Sequence, residues 1–109
     1  MRIGVLTVLY KQLPFTQVLD KVHAMGVTAV EIGTGAYPGN AHLDLDRLLE
    51  NKADRQAYLQ ELNERDMIIS ALSCHGNPIH PDPQIARKAD DIFRKTVQLA
   101  MLLEVPVVN

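Results

Sequence analysis

The feature that most constrains this 109-residue chain is an alternation of two patterns. Short apolar runs rich in β-branched residues take turns with segments of helical periodicity. "RIGVLTVL" near the N-terminus reads as a strand covered on both faces. Pro14 stands at a favoured position for opening a helix. Phe15, Val18, Leu19, Val22 and Met25 follow at helical spacing, and Gly26 closes the segment. "TAVEIG" is the second strand and leads into a long loop, "TGAYPGNAHLD". Asp44 or Asp46 is placed to cap a short helical piece, "LDRLLEN", and Asp54 to cap the longer "RQAYLQELNER". Tyr58, Leu59 and Leu62 give that longer helix a narrow apolar stripe. "MIISALS" is the third strand. "QIARKADDIFRKTVQLAMLLE" is the strongest helix, with Ile85, Ala89, Ile92, Phe93, Thr96, Val97, Ala100, Met101 and Leu103 as a wide buried face. "VPVVN" begins a fourth strand.

The order β-α-β-α-β-α-β predicts an α/β fold with parallel strands and right-handed crossovers. A (β/α)8 TIM barrel takes about 250 residues. Residues 1–109 are therefore expected to form one partial domain, the N-terminal half of such a barrel. A small open sheet is the alternative. Half a barrel exposes two sheet edges and its inward-facing side chains, so self-association through those edges is expected.

Composition narrows the partners. A net charge of −2 gives no field to draw the chain to nucleic acid or to an anionic membrane surface. No apolar run is long enough to span a bilayer. The first apolar run breaks at Tyr10-Lys11-Gln12 and reads as a strand rather than a leader. The single cysteine, Cys74, allows no internal disulfide, and a reducing cytoplasm is the expected compartment.

In α/β sheets and barrels, ligands bind at the C-terminal ends of the strands. That rule selects Thr7 to Tyr10, Glu31 to Tyr37, Ser73 to Asp82, and Asn109. Alternation along the second strand puts Val30 and Ile32 on one face and Glu31 on the other. Along the third, Ile69, Ala71, Ser73 and His75 should share one face, and Ile68, Ser70, Leu72 and Cys74 the other. His75 and Ser73 would then face the barrel mouth and Cys74 the helices.

An unpaired charge inside an apolar strand is costly. Glu31 is therefore either a structural anchor or a substrate contact. His75 and His80 are five apart with Pro78 between them, which excludes a helical metal pair. Each remains a possible ligand, donor or acceptor. Asn77 precedes Pro78, which favours an extended turn. Its amide can cap backbone groups or bind a hydroxyl. "GTGAYPG" is no dinucleotide fingerprint, because Pro38 stands where the third glycine belongs. It makes a sharp turn that brings Tyr37 near the mouth. His23 and His42 are expected to be solvated. There is no Walker loop, no Gly-x-Ser-x-Gly elbow, no Cys-x-x-Cys and no carboxylate cluster to complete a metal site.

Together, "RIGVLTVL", "GVTAVEIGTG", "ISALSCHGNPIHPDP", the long last helix and "VPVVN" resemble the N-terminal half of the xylose isomerase-like TIM-barrel superfamily. Within it, the sugar phosphate isomerase/epimerase (AP endonuclease 2-like) family is the most similar. "SCHGNPIHPDP" is the most specific part. The resemblance implies metal-assisted proton or hydride transfer between adjacent carbons of a sugar or sugar phosphate. It also implies a divalent metal (Mn, Mg, Co or Zn) in full-length members, held by later-strand carboxylates and a histidine absent from this chain. The resemblance gives this chain no metal ligand and no catalytic residue, and the chain alone is expected to bind no metal and to be inactive. The resemblance matches Glu31 and His75 to the second-strand glutamate and third-strand histidine. It matches Asn77, His80 and Asn109 to polar strand-end positions. With Tyr37, these six are the candidate substrate-binding residues. Two other functions stay open: endonuclease IV-like metal-dependent phosphodiester hydrolysis, and a non-catalytic half-barrel that self-associates.

Overall fold

A computed structural model describes residues 1–109. In chain order it contains β1 (Gly4–Leu6), a 3-10 turn (Thr7–Tyr10), α1 (Phe15–Ala24), β2 (Ala29–Gly33), α2 (Leu45–Glu50), α3 (Lys52–Asn63), β3 (Ile68–Ser73) and α4 (Pro83–Leu103). The strands form one parallel sheet in the order β1-β2-β3. The expected fourth strand is reduced to a short edge segment. There, Leu72 donates to the Val107 carbonyl at 3.0 Å, Asn109 to that of Leu72 at 2.9 Å, and Cys74 to that of Asn109 at 2.8 Å.

The first strand is shorter than its apolar run suggests. The chain leaves the ladder after Leu6 and turns through Thr7–Tyr10. Pro38 and Gly39, from the loop after β2, pack over that point and enclose Thr7 and Val8 against Gly33. The loop takes the space a longer β1 would need.

Helix ends follow local chemistry with two corrections. Pro14 is the residue before α1 rather than its first helical residue. Asn51, not Asp54, caps α3, its side chain accepting from the Asp54 N–H at 3.1 Å. Asp44 caps α2, accepting from the Arg47 N–H, and Asp82 caps α4, accepting from the Gln84 N–H at 2.8 Å. Each cap satisfies a donor that the first turn leaves open.

The core lies between the sheet and the helices. Val18, Leu19 and Val22 of α1, Val30 and Ile32 of β2, Leu62 of α3, Ile69 and Leu72 of β3, and Leu99 and Leu103 of α4 belong to one buried cluster. The wide buried face expected of α4 is narrower. Ile85 (47%), Phe93 (49%) and Met101 (76%) are exposed, while Leu99 is fully buried. A helix laid on one side of a sheet buries one stripe, and no other element of this chain covers the flank that carries Phe93 and Met101.

Candidate functional site

The site grows out of the sheet face opposite the helices. Val30 and Ile32 are fully buried in the helix-side core, so alternation turns Glu31 to the other face. There the Ser73 hydroxyl donates to Glu31 Oε1, and Asn109 Nδ2 donates to the same oxygen at 3.2 Å. Three strand ends thus meet at one carboxylate oxygen. Glu31 Oε2 makes no hydrogen bond within the chain.

The parity behind this arrangement is corrected at one residue. β2 and β3 pair Val30 with Ile69 and then Glu31 with Ala71, so Ser70 is an extra residue in the ladder. This bulge resets the alternation. Ile69 lies with Leu72 in the helix-side core, whereas the sequence placed it with Ala71 and Ser73. Ala71 and Ser73 keep the face expected for them, opposite Glu31 and Gly33. The Ser70 hydroxyl donates to the Val30 carbonyl at 3.1 Å and so satisfies an acceptor beside the bulge.

A second group of contacts fixes the loops above the sheet. Thr34 donates to the Ser73 carbonyl at 3.2 Å and pairs with the Thr96 hydroxyl of α4 at 2.8 Å. Thr96 also reaches the Ile92 carbonyl at 2.7 Å. All three hydroxyl-bearing residues, Thr34, Ser73 and Thr96, are buried, and each has a partner. Cys74 is buried on the helix side, and that burial raises its thiol pKa, an effect opposed by its hydrogen bond with Thr96. A raised thiol is a poor nucleophile at neutral pH. Two glycines allow close approach here. A Cβ on Gly76 would stand 2.8 Å from the Ala89 side chain, and one on Gly33 would stand 2.5 Å from the Gly39 carbonyl oxygen.

The six predicted residues separate into groups. Glu31 and Asn109 are in direct contact. His75 and Asn109 line a cleft of about 390 Å³ with Gly76, Pro78, Asp90 and Phe93, and Glu31 does not line it. The Tyr37 N–H donates to the His75 carbonyl at 3.1 Å, which ties the two loops together, while the Tyr37 side chain stands in solvent. Asn77 Oδ1 accepts from the Ile79 N–H at 3.2 Å, and His80 Nδ1 from the Asp82 N–H at 3.0 Å. Both side chains therefore shape the turn that leads into α4.

One histidine expectation is overturned. His42 is buried, its Nε2 within 2.9 Å of the Leu13 carbonyl, because the long loop folds back under Phe15 and Tyr58. Phe15 and Tyr58 stack at 4.5 Å, and the Tyr58 hydroxyl donates to the His42 carbonyl at 2.9 Å. The sequence put Thr96 on the buried face of α4 and Thr34 among the strand-end residues, but it gave no sign of the hydrogen bond between them, since lone threonines carry no spacing signal. No group of three or more His, Cys, Asp or Glu side chains is placed to hold a metal ion. No helix is long and apolar enough to cross a membrane.

No family model matches the chain. It is 35% identical over 105 residues to the uncharacterized protein YfiH of Bacillus subtilis (strain 168), an alignment covering 96% of this chain and 33% of that protein. Its fold is similar to the crystal structure of a D-psicose 3-epimerase determined in the presence of D-fructose, with a TM-score of 0.63 and 13% sequence identity. That match covers 99% of this chain and 36% of the epimerase. The chain thus spans about a third of the length of each. With its parallel strands, intervening helices and this likeness, the chain has the α/β fold of a TIM-barrel fragment.

Proposed function

We propose that residues 1–109 form the N-terminal part of a sugar- or sugar-phosphate-binding pocket of the isomerase/epimerase kind. The observation that carries this reading is the carboxylate of Glu31, oriented at the strand ends by Ser73 and Asn109 with its second oxygen free. A fixed carboxylate with an open acceptor suits a sugar hydroxyl, and a charged acceptor makes that bond stronger than a neutral one would. The fold's likeness to a D-psicose 3-epimerase supports the same substrate class. His75 and Asn109 extend the polar rim, and Tyr37, Asn77 and His80 stand on the loops around it.

The implied reaction is proton or hydride transfer between adjacent carbons. A divalent metal belongs to that chemistry in longer members of the resembled family. The residues of this chain do not fit a metal site, since no three ligating side chains converge. This chain's contribution is to bind and orient hydroxyls, and on its own it is expected to bind without turnover.

The test is an NMR titration of the 109-residue chain with D-fructose, D-psicose and their phosphates. Amide shifts at Glu31, Ser73 and Asn109 are expected, with affinity reduced about tenfold in Glu31→Gln. Saturable shifts confined to other parts of the molecule, or none, would overturn the reading. So would enzyme-like turnover by the isolated chain, which would refute the partial-pocket assignment.

A further inference from the structure

We propose that one water molecule is bound inside the fold between Thr7, Gly39 and His42, where it ties the loop after β2 to the end of β1. The site lies on the helix side of the sheet, away from the Glu31 cluster. Thr7 is 1% exposed, and its hydroxyl makes no hydrogen bond within the chain. A buried hydroxyl left unpaired is costly, and native folds rarely keep one. Leu6 is still extended and pairs with Glu31 on the open face. Alternation therefore turns Thr7 toward the helices, the side on which the loop folds back. Thr7, Gly39 and His42 line one cavity there, with Gly33 and Pro38 among its other walls, and it leaves about 10 Å³ for the centre of a water molecule. That is the room one water needs. No carboxylate lines the cavity, so a cation would find no counter-charge.

The three polar groups match the bonds a water can make. His42 is buried, with Nε2 2.9 Å from the Leu13 carbonyl. A carbonyl only accepts, so Nε2 carries the proton, and Nδ1 of the neutral ring is an acceptor. Nδ1 makes no hydrogen bond within the chain. The Gly39 carbonyl accepts none either. It is pressed toward Gly33, where a Cβ would stand 2.5 Å from its oxygen. The water accepts from the Thr7 hydroxyl and donates to His42 Nδ1 and to the Gly39 carbonyl. Three bonds is the usual number for a buried water. No direct hydrogen bond joins Thr7–Tyr10 to residues 34–44. The water is the polar link between them, and it steadies the loop that carries Tyr37.

A crystal structure of the 109-residue chain tests the site directly. One water is expected about 2.7–3.1 Å from Thr7 Oγ1, His42 Nδ1 and the Gly39 carbonyl oxygen. Contacts of about 2.4 Å would mark a cation and overturn the proposal. A dry cavity, with the Thr7 hydroxyl either unbonded or bonded directly to protein, would overturn it too. Stability gives a second test that turns on sign. Thr7→Val keeps a similar shape and removes the hydroxyl. With the water bound, valine deprives it of a donor, and the unfolding equilibrium constant in urea should rise about fivefold. A constant that is unchanged or falls means that the hydroxyl had no partner to lose, which refutes the site. Thr7→Ser keeps the donor and should keep the water in its own crystal structure. Loss of the water from that variant would show that the hydroxyl does not hold it.

Discussion

The two faces of the sheet differ in what holds them. On the helix side, Val30, Ile32 and Leu72 are fully buried in a continuous apolar cluster. On the opposite side, Leu6, Glu31 and Ser70 are half-exposed, and hydrogen bonds do the organising. The first face answers to volume and the second to donor and acceptor geometry. The difference teaches that stability and candidate chemistry are separated across a single layer of backbone, because successive residues of one strand serve opposite sides.

The comparison can be broken most directly by cavity formation. Ile32→Ala should cost about 3–4 kcal/mol in urea unfolding, whereas Leu6→Ala on the open face should cost less than about 1. Equal losses would show that the open face is packed as well. Next comes Gly33→Ala, where the new Cβ would meet the Gly39 carbonyl oxygen. A loss of about 2 kcal/mol there would mark tight packing of the loop over the end of β2.

Alkaline pH probes the helix side through Tyr58. Burial holds its phenol well above the usual value of 10.0. The folded group keeps its proton where the unfolded one loses it, so the stabilisation is complete below pH 10 and is lost as pH rises above it. Chemical unfolding one pH unit higher should show a loss of about 1.4 kcal/mol, absent in Tyr58→Phe. Asp82→Ala should cost about 1 kcal/mol by removing the α4 cap. The smallest effect belongs to Glu31→Gln, expected within about 1 kcal/mol, because the remaining amide oxygen still accepts from Ser73 and Asn109. A much larger loss would make Glu31 a structural keystone rather than a binding group.

Much of this arrangement was legible in the sequence, for physical reasons. The period of 3.6 in α1 and of 2 in β2 each encode one covered face, so Val18, Leu19 and Val22, and the opposition of Ile32 to Glu31, were readable locally. The rule of strand ends picked out Ser73 and Asn109, whose contact with Glu31 spans 78 positions in the chain for Asn109. What failed depends on distant packing. The burial of His42 depends on Phe15 and Tyr58, neither adjacent to it in sequence. Phe93 and Met101 on α4 are exposed because no element of this chain packs on that flank, and a helical period cannot report which of its faces will be covered. Asn51 and Asp54 are both good capping residues three apart, so local sequence does not decide between them. The bulge at Ser70 was invisible because strict alternation is assumed wherever no glycine or proline interrupts it.

That bulge has a consequence for recombining barrel pieces. Upstream of Ser70 the strand is in one phase with β2, and downstream it is in the other. A crossover with a partner lacking the extra residue would be silent only if both joints fell on the same side of position 70. A graft spanning it would deliver Leu72 to the lumen and Ser73 to the oily side. Fragment libraries built on this chain therefore have a natural seam at Ser70, and deleting that one residue is a more drastic edit than replacing several of its neighbours.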